Sequence, residues 1–121
     1  MNMETFKVTR LYTDDSGDSR FEDAAYPLHP NGTIGSLSEK VNVTGLYFRT
    51  VLPAYDYDFH NAPNKQFIIL LDGEIEIETS TGEKRIFGAG EVLQLEDTDG
   101  KGHRTRNLQQ IERRSIFVTF D

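Results

Sequence analysis

An all-β sandwich or barrel is the fold class this 121-residue chain predicts, and three observations predict it. Short apolar or alternating runs recur along the chain, turn residues separate them, and no segment carries a sustained apolar stripe at helical spacing. Chains of many short strands must bury their sheet edges, and a jelly roll is one way to do so.

The runs follow in order. Phe6 to Tyr12 reads as a first strand, and the polar stretch Asp14-Asp15-Ser16-Gly17-Asp18-Ser19 reads as a loop. Pro27-Leu28-His29-Pro30-Asn31-Gly32 is a turn cluster, which places His29 in an exposed loop. Leu46 to Leu52 and Phe67 to Leu71 are apolar runs of strand length. In the second of these, Phe67, Ile69 and Leu71 alternate with Gln66, Ile68 and Leu70, so both faces need cover. Within Gly73 to Thr79, Glu74-Ile75-Glu76-Ile77-Glu78 has the period of two that a half-buried antiparallel strand demands. Ser80-Thr81-Gly82-Glu83 then supplies a hairpin turn into Lys84-Arg85-Ile86-Phe87. Glu91 to Leu95 and Ile116 to Phe120 complete the strands, and Asn107 to Arg114 is expected to form a helical turn or two before the last one.

Residues 1–121 make one domain with room for one cavity, since about 100–150 residues is the usual single-core size. A net charge of −7 argues against nucleic acid as a partner, because such binding draws its affinity from clustered Lys and Arg. The chain has no cysteine, which excludes disulfides, thiolate metal sites and thiol nucleophiles. No Gly-x-Ser-x-Gly elbow occurs. No apolar run approaches the ~20 residues of a membrane span. Met1-Asn2-Met3-Glu4-Thr5 lacks a signal-peptide profile, so the expected compartment is the cytosol.

Two of the three histidines stand in strand-rich, glycine-punctuated segments. His60-Asn61-Ala62-Pro63-Asn64-Lys65-Gln66 leads to Gly73, and Gly90 is followed by an extended stretch and then His103-Arg104-Thr105-Arg106-Asn107. The first block resembles the first motif of the cupin superfamily, His-x-His-x3or4-Glu-x6-Gly. The second is similar to the end of the second cupin motif, Gly-x5-Pro-x-Gly-x2-His-x3-Asn. Here Glu96-Asp97-Thr98-Asp99-Gly100-Lys101-Gly102 replaces the Pro-x-Gly bend. The resemblance covers roughly residues 45–107, and the reading His-x-Ala-Pro-x-x-Gln is similar to that of a subgroup of small single-domain cupins. It implies an all-β, cupin-type jelly-roll barrel.

The resemblance also implies a metal in the barrel mouth. His60 matches the first histidine ligand, Gln66 the glutamate and His103 the last histidine, while Ala62 stands where the second histidine would be. Three neutral groups would then face a dication, and Asp58, two residues before His60, supplies a charge if it turns inward. Such a nitrogen and oxygen set suits Zn, Fe, Ni, Mn or Cu. The competing reading is a cavity of hydrogen-bonded polar residues without a metal. Asp97 is a candidate for orienting His103 by accepting its other ring N–H, whereas Asp99 reads as a turn residue. Arg49, Tyr57 and Arg106 are candidates for substrate contact, with a rim role as the plainer account of each.

The functional expectation is therefore a small cupin that binds a divalent metal and acts on or senses a small organic molecule. The alternatives are a non-enzymatic ligand-binding module and a structural dimer with a vestigial, metal-free cavity. A homodimer is expected, with Phe6, Val8 and Leu11 contributing.

Overall fold

The computed structural model describes residues 4–121; Met1–Met3, part of the segment read above for a leader profile, lie outside them. The strands are β1 (Thr5–Thr13), β2 (Ser19–Pro27), β3 (His29–Pro30), β4 (Ser36–Leu37), β5 (Gly45–Val51), β6 (Asp56–His60), β7 (Gln66–Leu70), β8 (Glu74–Thr79), β9 (Lys84–Gly88), β10 (Val92–Leu95), β11 (His103–Asn107) and β12 (Arg113–Thr119). They build a six-stranded sheet in the order β2-β1-β10-β7-β12-β5, a four-stranded sheet in the order β6-β11-β8-β9, and the small pair β3-β4. Every pair is antiparallel except β1 with β10. Among the described residues no ladder joins the two larger sheets, so this jelly roll is a sandwich of two open sheets and not a closed barrel.

The core lies between those sheets. Leu11, Leu70, Leu93 and Leu95 from the six-stranded sheet meet Ile75, Ile77 and Phe87 from the four-stranded one, with Ala62 beside them. The isoleucines of β8 are buried in strict alternation with its glutamates, as its period-two sequence requires. Each such buried side chain contributes roughly 1.5–3 kcal/mol, which makes β8 a firm support for β11.

Two sequence expectations change. The stretch after the polar loop at 14–19 is a full strand, β2, paired with β1 from Thr5↔Pro27 to Thr13↔Ser19. It is an edge strand of polar composition, held by its ladder and little by burial. The helical turns expected over Asn107 to Arg114 do not form. The Asn107 and Leu108 amides donate to the Tyr55 and Glu74 carbonyls, and these long-range bonds hold the chain extended as it enters the turn that leads to β12.

The two faces of β7 are not equally covered. Gln66, Ile68 and Leu70 face the space between the sheets, while Phe67 and Ile69 open onto an outer groove with Phe6, Val8, Leu37 and Val43. Val8 and Leu11 lie on opposite faces of β1, and Leu11 is part of the core. It has no surface to offer a partner subunit, contrary to the expectation for it.

Candidate functional site

A cavity of about 310 Å³ lies between the sheets. Its floor is apolar, made by Ile68, Leu70, Ile75, Ile77, Leu93 and Leu95. Its polar wall is made by Arg49, Tyr57, His60, Gln66, His103 and Arg113. The structure thus brings His60, Gln66 and His103 into one chamber, with Arg49 and Tyr57 beside them.

Strand pairing sets this convergence. His103 of β11 sits directly opposite His60 of β6, and the imidazole centroids are 4.6 Å apart with the planes inclined at 55°. Gly102 makes the approach possible: its φ is +80°, and a Cβ there would stand 2.3 Å from the His60 carbonyl oxygen. Only glycine fits so close to a neighbouring backbone in that conformation.

The same pairing corrects the expectation for Asp58. The next pair after His103↔His60 is Thr105↔Tyr57, so the single residue Arg104 of β11 stands against two of β6, Asp58 and Phe59. This bulge breaks the period-two rule. Tyr57 and His60 share the inner face, the rings stacked 3.6 Å apart, and Asp58 is left exposed outside the cavity. Asp58 acts through its backbone instead, for its carbonyl accepts a hydrogen bond from His60 Nδ1 at 2.7 Å.

His103 is anchored in a different way. Its Nδ1 donates to Asp97 Oδ2 at 2.5 Å, and the same oxygen accepts from Ser19 Oγ at 2.7 Å. Asp97 is fully buried, and its own carbonyl accepts the Ala62 amide at 3.0 Å, which ties the two motif segments together. Each Nδ1 is engaged as a donor, so in a neutral ring Nε2 is the nitrogen that keeps its lone pair. Burial holds the His60 imidazole below its usual pKa, and the neighbouring His103 and Arg49 act in the same direction against the Asp58 carbonyl and Asp97. His60 is therefore neutral near pH 7.

These donors fit a divalent transition metal as a partial set: two imidazole nitrogens, each braced from behind, and the amide of buried Gln66, which makes no side-chain hydrogen bond among the described residues. No three His, Cys, Asp or Glu side chains are placed together to hold a metal ion among the described residues, and the set of His60, His103 and Gln66 carries no anionic group. A metal held by these three groups would keep several coordination positions for water or a bound molecule.

The other candidates lie elsewhere. Arg106 donates to Glu76 at the surface, His29 is exposed beside Glu39, and Asp99 uses its carbonyl to accept Thr13 Oγ1 and Asn61 Nδ2 in the turn before β11. Sequence reasoning missed Arg113, Tyr55 and Asn61, all of which line the cavity. A signal for Arg113 existed: Arg113, Ser115 and Phe117 alternate along the last strand, with an arginine on its inner face.

No protein-family model and no curated protein sequence matches the chain. Solved structures do. A Cupin 2 conserved barrel domain protein from Salinispora arenicola CNS-205 is similar at 22% identity and a TM-score of 0.51, over 63% of this chain and 61% of that one. This chain therefore spans about three fifths of the length of that protein. A protein from Neisseria meningitidis is similar at 17% identity and a TM-score of 0.51, over 67% of this chain and 79% of that one. At such identities the likeness shows the fold alone, a cupin-type jelly roll.

Proposed function

We propose that this chain acts as a small cupin, binding a small organic molecule between its sheets together with a divalent transition metal (Zn, Fe, Ni, Mn or Cu) held by His60, His103 and Gln66. The observation that carries this reading is the pair of facing imidazoles, each fixed through Nδ1 by a different partner. A histidine kept only for packing gains nothing from a buried carboxylate and serine behind it, whereas a ligand histidine gains orientation and basicity.

When bound, the metal supplies Lewis acidity toward an oxygen donor of the bound molecule. The protein's own residues do the rest. Asp97 and the Asp58 carbonyl fix the ring orientations, Tyr57 packs on the His60 ring, and the aliphatic floor excludes water from the bound molecule. A second reading is binding without turnover, in which the same polar wall and apolar floor hold the molecule and no bond is changed. Location in the cytosol belongs to the same proposal.

The test is metal analysis of untagged protein, followed by calorimetric titration of chelator-treated protein with Zn²⁺ and Ni²⁺. One high-affinity ion per chain is expected. His60→Ala should abolish it, and Gln66→Glu should tighten it by adding a carboxylate. His60→Ala is the cleaner variant, because removing His103 leaves Asp97 buried without its partner. Unchanged stoichiometry and affinity in both variants would sink the metal reading.

A further inference from the structure

The chain has 20 acidic and 13 basic residues, yet its cavity is lined by two arginines and no carboxylate. Six of its arginines, at positions 10, 20, 85, 104, 106 and 114, pair with Asp or Glu outside the cavity. Arg49 and Arg113, the other two, have no carboxylate partner among the described residues.

Both are built into the inner face of the β5/β12 ladder, where Arg49 lies opposite Ser115 and Arg113 opposite Val51. Arg113 is 1% exposed. Its stem runs beneath Gly73, which has φ +68° and where a Cβ would lie 2.7 Å from Arg113 Cδ. Its Nε donates to Asn107 Oδ1 at 2.5 Å, but Nη1 and Nη2 are buried with no partner. The Arg49 side chain makes no hydrogen bond among the described residues; its guanidinium lies 5.0 Å from the Tyr55 ring centre and 4.8 Å from that of Phe117. Arg113 lies 5.8 Å from the same Tyr55 ring, so the two cations flank one tyrosine.

A guanidinium does not discharge at any ordinary pH, so burial cannot be relieved by losing a proton. The two charges face no anion and repel each other, and the buried Arg113 also lacks hydration, a costly arrangement that an incoming anion offsets. We propose that the cavity takes a small organic anion, a carboxylate with an apolar body. Its carboxylate is seated by Arg49, with Arg113 behind Tyr55 adding its charge, and its body lies along Ile75, Ile77 and Leu93. The apolar floor favours an organic acid over a bare inorganic anion, and the planar guanidinium fork matches a carboxylate. The inference rests on the cavity being a ligand site. It does not require the metal, although the same anion would also offset a dication on His60 and His103.

The experiment uses chelator-treated full-length protein, so that it stands or falls apart from metal binding. Acetate, hexanoate, succinate and benzoate are titrated by calorimetry and thermal shift, with benzamide as the neutral isostere of benzoate and inorganic phosphate as the bare anion. At least one carboxylate should bind and raise the melting temperature, and benzoate should bind at least tenfold more tightly than benzamide. Arg49→Met should weaken the carboxylate at least tenfold while the circular dichroism spectrum is unchanged. Arg113→Lys, which keeps the charge inside a fully buried site, should retain more affinity than Arg113→Met if both fold, and Arg49→Met decides the matter if they do not. The proposal is overturned if no carboxylate binds, if benzamide matches benzoate, if phosphate alone binds, or if Arg49→Met leaves affinity unchanged.

Discussion

His103 and Asp97 meet through a 2.5 Å hydrogen bond with both side chains buried, and Ser19 holds the far side of the same carboxylate oxygen. The bond links the turn before β11 to the strand that carries the imidazole, so the aim of His103 depends on a residue six positions earlier. Asp97→Asn keeps the shape and removes the charge. It should weaken Zn²⁺ binding by about 10–100-fold, the usual effect of losing a carboxylate behind a ligand histidine. Calorimetry on the chelator-treated variant checks this, and a wild-type affinity would show that Asp97 serves folding alone.

Gly102→Ala should damage the same site through the backbone. The added methyl would stand 2.3 Å from the His60 carbonyl oxygen and the residue would have to keep φ +80°. The left-handed conformation alone costs roughly 1–2 kcal/mol for a residue with a Cβ, and neither strand backbone can yield without breaking the His103↔His60 pairing. Urea denaturation should show a loss of at least ~1 kcal/mol, with weaker metal binding alongside it. Wild-type stability would mean that β6 and β11 can separate freely.

The strand pattern of β8 and the apolar double face of β7 were legible in the sequence because burial on a pleated sheet imposes a period of two, whereas the convergence of His60 with His103 was implied only by the resemblance of their two segments to the cupin motifs. Asp58 was misplaced by that same rule. The rule assumes an unbroken ladder, and the bulge opposite His103 and Thr105 turns Tyr57 inward in its stead. Arg113 was missed because an apolar run signals a strand, and β12 begins three residues before its apolar run does. Its burial depends on Gly73, forty positions earlier, which no local pattern reports. β2 was missed for a related reason: an edge strand held by its ladder needs no apolar alternation.

His60 makes the metal-free protein sensitive to mild acid. Burial places its folded-state pKa below the ordinary value near 6.5, so between the two pKa values the unfolded chain binds more protons than the folded one. Stability then rises with pH through that window. The contribution is fully present above about pH 6.5 and is lost as pH falls through the folded pKa. Urea midpoints measured from pH 7.5 to 5 should decline for the wild type and decline less for His60→Gln, and equal slopes would refute the assignment.

Assembly supplies the last prediction. β5 is an edge strand of the six-stranded sheet, and it presents Phe48 at 84% and Leu46 at 51% exposure. Beyond it the outer groove shows apolar surface from Phe6, Phe67 and Val43. An unpaired strand edge with large apolar side chains is a template for pairing with another chain. A homodimer is therefore expected, with β5 and the groove contributing and Leu11 taking no part. Light scattering at micromolar concentration should give twice the chain mass of 13.8 kDa. Phe48→Glu should shift the protein to monomer without altering its far-ultraviolet circular dichroism, since that side chain is almost wholly exposed in the single chain. A wild-type monomer at that concentration would remove the dimer, and a dimer indifferent to Phe48→Glu would move its interface away from β5.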